Sequence, residues 1–415
     1  MIIGIDDTDS REGMCTTYLG AVLISRLKKA GFTVREVRLI RLNPNVKFKT
    51  RGNAAIAIEA DGDLEMGFAL ACAAVEELAA FNGIETNPGV AVVAERPDPA
   101  FYHQALQDFC TIAEAEAVLE TWGARYRGYK NGRGLIGAAA AIASDLPDST
   151  AELLAYRDPS CWGTPRQIDE ESFFTAEAAT FPQTWDTVDT VNSTVVCVPH
   201  TPDPVLFGIR GVSPAWVTLA RSYLETEPQA LEQIYRTNQG TDAHLIEGVI
   251  GRLLDGRSYR LDGTVTAVPL TGQGGHVTLL LEGEDGATLP AMAYEPTKGF
   301  RDIIRGLIPG DRVTVTGSYK GGSLNLEKLQ VRTMADAVTR RPPLCAACTR
   351  RMTSAGRGQG YKCRHCGEKS TEPEVKIQQR SLTCGWYEVP SVARRHLAKP
   401  LCRGTGPAPD PCPEQ

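Results

Sequence analysis

A mosaic of α/β and α+β modules ending in a metal-stapled ribbon is what this 415-residue chain predicts. Three observations carry that expectation. Strand and helix signals alternate over Met1–Leu153, β-rich runs between Gly-rich turns fill Asp255–Val331, and two CxxC pairs sit near the C-terminus. The length allows about three or four domains. With 42% hydrophobic and 23% charged residues the chain has core-forming composition, which excludes global disorder. The longest apolar runs, Met66–Val75 and Leu135–Ala143, fall short of the roughly 20 residues that span a bilayer. No basic region precedes an apolar stretch at the N-terminus, so neither membrane insertion nor export is expected.

In order, Met1–Ile5 reads as a short apolar strand, and Leu19, Leu23 and Leu27 recur at helical spacing before a capping Gly31. Arg35–Leu42 and Ala54–Ala60 read as strands, Leu64–Ala80 as a helix, Val90–Glu95 as a strand and Phe101–Thr121 as one helix. Gly134–Ser144 reads as a buried, alanine-rich helix entered through a glycine loop. In the next 100 residues Val188–Pro199 and Val205–Ile209 are expected strands, and Ala215–Tyr223 and Pro228–Tyr235 expected helices, a small α+β unit. Tyr259–Val268, His276–Leu281, Arg312–Ser318 and Ser323–Val331 predict a small closed β-barrel such as an OB-fold. Met334–Pro343 reads as a linker. The expected boundaries are 1–154, 155–255, 256–335 and 340–403, with 404–415 a Pro-rich disordered tail.

Charge is unevenly spread. The chain totals −6, yet Arg340–Arg403 holds fourteen Lys/Arg against four Asp/Glu. An acidic body with a basic C-terminal module points that module at a polyanion; a merely solvated basic surface is the competing reading. Cys345-Ala-Ala-Cys348 and Cys363-Arg-His-Cys366 are two knuckles whose four thiolates suit a closed, structural Zn²⁺ site, with His365 between ligands. The other cysteines are mostly scattered singly, which suits a reducing, cytoplasmic compartment.

The chemistry-bearing pattern sits where the first strand ends, at Gly4-Ile-Asp6-Asp7-Thr-Asp9-Ser10. Three carboxylates so close repel one another unless a cation such as Mg²⁺ joins them. Gly13-Met-Cys-Thr16-Thr17 then opens a helix whose first N–H groups and an N-cap hydroxyl suit phosphate. Together they predict a nucleotide triphosphate site; an acidic turn before an ordinary capped helix is the alternative. Two further loops could complete it. Lys47-Phe-Lys49-Thr50-Arg51-Gly52-Asn53 offers cations and exposed backbone, and Tyr129-Lys130-Asn131-Gly132-Arg133-Gly134 resembles an anion-binding nest. Neither is a Walker A loop or a Rossmann fingerprint. Pro199-His-Thr-Pro-Asp203-Pro-Val-Leu-Phe-Gly-Ile-Arg210-Gly211 is a stiff segment that could present an acid to a cationic ligand, or simply fix a strand entry.

These stretches, with Arg38-Leu-Ile-Arg-Leu-Asn-Pro44, occur in the order found in the archaeal tRNA-Ile 2-agmatinylcytidine synthetase family, which the chain resembles from Met1 to about Leu401. The resemblance implies an unusual kinase-like domain, a ferredoxin-like domain, an OB-fold and a zinc ribbon. It also implies a ligase that attaches agmatine to the wobble cytidine of an isoleucine tRNA, with ATP going to AMP. Asp6, Asp7 and Asp9 would then carry Mg²⁺ or act as base, and Thr16 matches the family threonine that becomes phosphorylated. Lys49, Arg51, Lys130 and Arg133 would neutralise phosphate, and Asp203 would face the agmatine guanidinium near the junction of the first two domains, beside Arg210. Arg350, Arg351, Arg394 and Arg395 would grip tRNA phosphates. A non-catalytic nucleic-acid-binding protein and a nucleotide-dependent small-molecule kinase are the competing readings, separated from the ligase by whether AMP, ADP or neither is released.

Overall fold

A computed structural model describes residues 1–50 and 52–404. Its centre is a nine-stranded sheet in the order Arg125–Gly128, Gly89–Val93, Ile2–Asp6, Ala54–Asp61, Thr33–Arg41, Gln229–Thr237, Thr150–Arg157, Val205–Gly211, Thr184–Trp185. Every pairing is antiparallel except one, where Arg38 and Leu39 meet Arg236 and Thr237 in parallel. That pairing joins two helix-covered halves into one sheet. The strand Thr150–Arg157 runs unbroken across residue 154.

Period-two alternation decides what each face meets. Ile3, Ile5, Ile56 and Ile58 pack beneath the helices Thr16–Lys29 and Leu64–Leu78, through Leu19, Leu23, Leu27 and Val75. Ile2, Ala57 and Ala91 face the other way, onto the helices Ala100–Gln107, Ile112–Thr121 and Gly134–Ala143. Gly4 permits the closest approach there: a Cβ on it would stand 2.3 Å from the Ala138 carbonyl oxygen. In the second half, Leu153, Ala155, Phe207 and Ile209 pack on the helices Glu170–Thr180 and Pro214–Ser222.

Several expected elements differ. The segment expected as a helix at Pro228–Tyr235 is the strand Gln229–Thr237, hydrogen-bonded on both sides. Its Gln, Ala, Leu and Glu favour helix locally, but burying Tyr235 beside Tyr156, with their hydroxyls 2.9 Å apart, and completing two ladders outweighs that preference. The expected helix Phe101–Thr121 breaks at Asp108–Cys110 and restarts in a capping box, where Thr111 and Glu114 satisfy each other's backbone N–H. Val188–Pro199 yields only the two-residue strands Val188–Asp189 and Thr194–Val195. Half of the expected linker is a strand, Ala337–Arg341, paired with Glu374–Gln378.

Ser258–Val265, Val277–Glu282, Thr288–Ala293, Arg312–Lys320 and Ser323–Thr333 form a barrel, closed where Thr264 and Val265 pair with Glu282 and Leu281. Within it only the third and fifth strands run parallel, and the helix Phe300–Arg305 lies between the third and fourth. The ribbon follows. The chain then returns: Gly385–Glu388 pairs with the last barrel strand, Val389 enters the barrel core, and the carbonyls of His396 and Leu397 accept the amides of Gly240 and Asp242, just beyond the strand Gln229–Thr237. Among the described residues no helix is long and apolar enough to cross a membrane. The expected tail from 405 onward lies outside the described residues.

Candidate active site

The first strand delivers Asp6 to the start of the helix Gly134–Ala143. A Cβ on Gly137 would stand 1.9 Å from Asp6 Oδ2, so only glycine leaves the carboxyl its place against the helix's first turn, the positive end of its dipole. Asp7 follows at φ 58°, the left-handed region that Asp tolerates better than most residues. That turn aims its carboxylate at Arg133, whose Nε and Nη2 donate at 3.2 and 3.0 Å. Burial, reinforced by the Asp7 charge, pushes Asp6 well above the usual carboxylate range. Burial also raises Asp7 to about 6, against the pull of Arg133. Thr8 donates its Oγ1 to the Thr16 hydroxyl at 3.1 Å, fixing that side chain on the first residue of its helix. The N-cap falls on Cys15, not on a hydroxyl: the residue is extended, with its thiol 3.0 Å from Thr17 Oγ1.

A cavity of about 780 Å³ opens beside these groups. Its walls join Asp6, Asp7, Asp9 and Thr16 to Lys49, Thr50, Gly52 and Asn53 of one expected loop, to Arg133 of the other, and to Asp203 and Arg210 from the second half of the sheet. Arg51 lies outside the described residues. Lys130, Asn131, Gly132 and Gly134 are not among the residues lining this cavity. The Lys130 ammonium donates to the carbonyls of Phe81 and Gly83 at 3.1 and 2.6 Å, and Asn131 Oδ1 accepts from the Arg133 amide at 3.0 Å. Gly132 supplies a turn at φ 76°, and Gly134 lies against Gly89. This loop presents Arg133 instead.

Asp203 is buried and tied to its own loop. Its Oδ1 accepts the Val205 amide at 2.9 Å and lies 3.5 Å from Arg166 Nη2, while Thr201 donates to Oδ2. Arg210 reaches Glu152 and Asp186, each at 3.4 Å, and His396 Nδ1 at 2.5 Å. Glu152, Arg41 and His396 are cavity residues that pattern reading passed over. A legible signal existed for one of them: Glu152 is the single acid of its strand, between Ala151 and Leu153. His396 carries no local signal, because the C-terminal return places it there. The same return buries Arg394, which pairs with Asp186 and, at 2.8 Å, with Glu388. It also turns Arg395 onto Ser318, with Glu327 3.5 Å away. These two arginines hold modules together rather than presenting free charge to tRNA, whereas Arg350 and Arg351 remain exposed on the ribbon.

At the ribbon, the Sγ atoms of Cys345, Cys348, Cys363 and Cys366 lie within 4.8 Å of one another, three pairs being 3.3, 3.5 and 3.7 Å apart. Tetrahedral Zn²⁺ with bonds of ~2.3 Å requires sulfurs about 3.8 Å apart. The four thiolates fit a closed zinc site. Among the described residues no other group of three or more such side chains draws its ligand atoms that close. The aspartates therefore form no dedicated cage, but a hard cation such as Mg²⁺ usually takes only one or two carboxylates, with phosphates and water completing its shell. Carboxylates on one cavity wall beside a helix N-terminus fit that mode.

A model described as the TiaS TCKD domain matches residues 2–131, one described as the TiaS FLD domain matches 132–244, and one described as the TiaS C-terminal zinc ribbon domain matches 342–382. A protein named tRNA(Ile2) 2-agmatinylcytidine synthetase TiaS from Methanocorpusculum labreanum is 54% identical over 97% of each chain. Its namesake from Methanosarcina mazei is 47% identical over 97% of each. Among solved structures, a TiaS–tRNA(Ile2)–ATP complex superposes with a TM-score of 0.92 at 43% identity, covering 99% of both chains. A TiaS–tRNA(Ile2)–AMPCPP–agmatine complex gives 0.87 at 40% identity, covering 99% of this chain and 98% of that one. The chain belongs to the TiaS family.

Proposed function

We propose that this protein is the ATP-dependent ligase that joins agmatine to carbon 2 of the wobble cytidine in an isoleucine tRNA anticodon, so that the base pairs with adenine. One observation carries the reading. A single cavity gathers the acids of the first strand, the Thr16 hydroxyl and cationic groups from both halves of the sheet, in a chain that aligns end to end with enzymes named for this synthesis.

The chemistry follows from the substrate. Oxygen 2 of cytosine is a poor leaving group until it carries a phosphoryl group taken from ATP; water then cleaves the bond between the α- and β-phosphates, so that the nucleotide leaves as AMP and the β-phosphate as free phosphate. The primary amine of agmatine then attacks carbon 2, the carbon–oxygen bond breaks, phosphate departs with that oxygen, and the amine gives up a proton. Asp6 and Asp9 would hold a magnesium ion with the triphosphate, and that ion supplies charge neutralisation to the transferred group. Arg133, oriented by Asp7, and Lys49 stabilise phosphate charge, and Thr50, Gly52 and Asn53 shape the loop around it. Thr16 stands within the cavity as a hydroxyl able to carry a phosphoryl group. Asp203 faces the guanidinium of agmatine: its bonds to Thr201 and Val205 hold the carboxylate in place, and a carboxylate has about four acceptor sites. The target base enters by leaving its stack.

In this reading the N-terminal half is the kinase-like unit and the next the ferredoxin-like unit, with the boundary near residue 154 functional, since the sheet runs through it. The strand order of the barrel supports the OB-fold assignment, and barrel and ribbon grip tRNA through exposed groups such as Arg350 and Arg351. The test is product analysis with an isoleucine tRNA transcript, ATP and labelled agmatine. AMP should appear only when both tRNA and agmatine are present. ADP without transfer of label to tRNA would make the protein a kinase, and no nucleotide turnover would leave it a binding protein.

A further inference from the structure

The last described segment of the chain belongs to the site. After the ribbon the chain passes the barrel and reaches the loop beyond Gln229–Thr237, with the His396 carbonyl accepting the Gly240 amide at 2.8 Å and Leu397 buried in the core. This places the His396 imidazole in the cavity wall with Arg41, Lys49 and Arg210. The geometry fixes its tautomer. Arg210 Nη2 lies 2.5 Å from His396 Nδ1, and a guanidinium nitrogen can only donate, so Nδ1 accepts and the proton sits on Nε2. Burial, together with the charges of Arg41, Arg210 and Lys49, holds His396 well below the usual histidine range, in keeping with a neutral ring.

Nε2–H faces Gly52. A Cβ built there would stand 3.3 Å from His396 Nε2 and 2.6 Å from Arg41 Nη1, so two donors converge on a spot that only the missing side chain keeps open. The charges nearest His396 are those of Arg41, Arg210 and Lys49. Glu152 is shared between Arg210 at 3.4 Å and Arg41 at 4.0 Å, and Asp186 is shared between Arg210 and Arg394. At this end of the cavity two arginines and a lysine, set against the shared Glu152 and Asp186, suit an anionic oxygen.

We propose that the C-terminal segment completes the cavity with a phosphate-oxygen subsite, in which His396 both holds Arg210 and donates Nε2–H beside Arg41 and Lys49. The inference rests on the synthetase reading for the identity of the ligands, which are the ATP triphosphate and the tRNA phosphodiester. Both present the same oxygen chemistry, and the measurements separate them.

The test compares His396→Ala, His396→Asn, His396→Gln and Gly52→Ala with the unaltered protein. Equilibrium binding of ATP and of tRNA is measured without agmatine, and kcat and KM for each substrate with it. His396→Ala should weaken binding of ATP or of tRNA at least tenfold, the affected ligand identifying the source of the phosphate, with the agmatine KM within twofold. Asn places an acceptor where Nδ1 stood and should restore Arg210 and most of the affinity. Gln reaches the Nε2 position without that acceptor and should restore less. Gly52→Ala fills the spot and should reproduce the binding loss with His396 intact. Unchanged affinity for both ligands in the Ala and Gly52 variants, equal rescue by Asn and Gln, or a shift confined to the agmatine KM would overturn the proposal. Should His396→Ala not fold, the Asn–Gln contrast and Gly52→Ala decide between the same outcomes. Absence of agmatine transfer by the unaltered protein would count against the synthetase reading alone, since the binding measurements do not require it.

Discussion

Gly137 shows how a residue with no chemistry of its own can place a buried carboxyl, here the one that the proposed mechanism gives to magnesium. It lies in the first turn of the alanine-rich helix, and its missing side chain is the space that the Asp6 carboxyl fills. Replacing Gly137 with alanine should displace Asp6 while adding helix propensity of about 1 kcal/mol. The expected outcome is a fall of tenfold or more in agmatine transfer with tRNA binding and the melting temperature little changed. A proportional loss of folding would mean that the methyl group is absorbed by the helix backbone instead. At this scale the sequence was informative wherever chemistry and local geometry coincide. The acid cluster at the end of the first strand and the paired CxxC knuckles were both legible, because each is a short-range pattern with one physical explanation. The glycine loop was legible as a loop but not in its role, because the hydrogen bonds that turn Lys130 outward go to residues almost fifty positions away.

Between elements, the junction of barrel, sheet and C-terminal return depends on a buried charge cluster. His244 Nε2 lies 3.1 Å from Glu327 Oε2, with Arg395 near the other oxygen. Burial alone would raise Glu327, but the charge and hydrogen bond of His244, with Arg395 and Lys328, bring it down to about 2. A carboxyl depressed in the folded state adds stability above its unfolded value, near 4.3, and that stability is lost as pH falls toward 2. Melting temperature should therefore drop between about pH 4.3 and 2, and Glu327→Gln should flatten that part of the curve while lowering stability at pH 7. An unchanged acid slope in the variant would assign the sensitivity to other carboxylates. The sequence predicted the helices and strands whose periodicity is strong. It failed at Gln229–Thr237, where pairing on both sides overrides local preference, and at Thr111, where the T-x-x-E signature of a restart was present but masked by helical periodicity continuing on either side.

The whole molecule separates chemistry from grip, although its sheet and its last segment tie the parts together. Zinc should matter to only one of these functions. Cys348→Ser, or chelation of the metal, should reduce zinc content and weaken tRNA binding while ATP binding stays within about twofold, because the four thiolates lie in the ribbon and not in the cavity walls. Full zinc content in the variant would remove Cys348 from the ligand set. The barrel and the ribbon could be read from the sequence, but the C-terminal return could not: its basic residues look like a nucleic-acid tail, and only the folded chain places Arg394 against Asp186 and His396 in the cavity. In the proposed mechanism the acids ending the first strand serve the reaction on the tRNA base, Asp6 and Asp9 by holding magnesium and Asp7 by orienting Arg133. Agmatine transfer by Asp7→Ala tests it most directly, scored beside tRNA affinity. Transfer should disappear while tRNA affinity stays within a few-fold; transfer at the unaltered rate would remove Asp7 from the reaction.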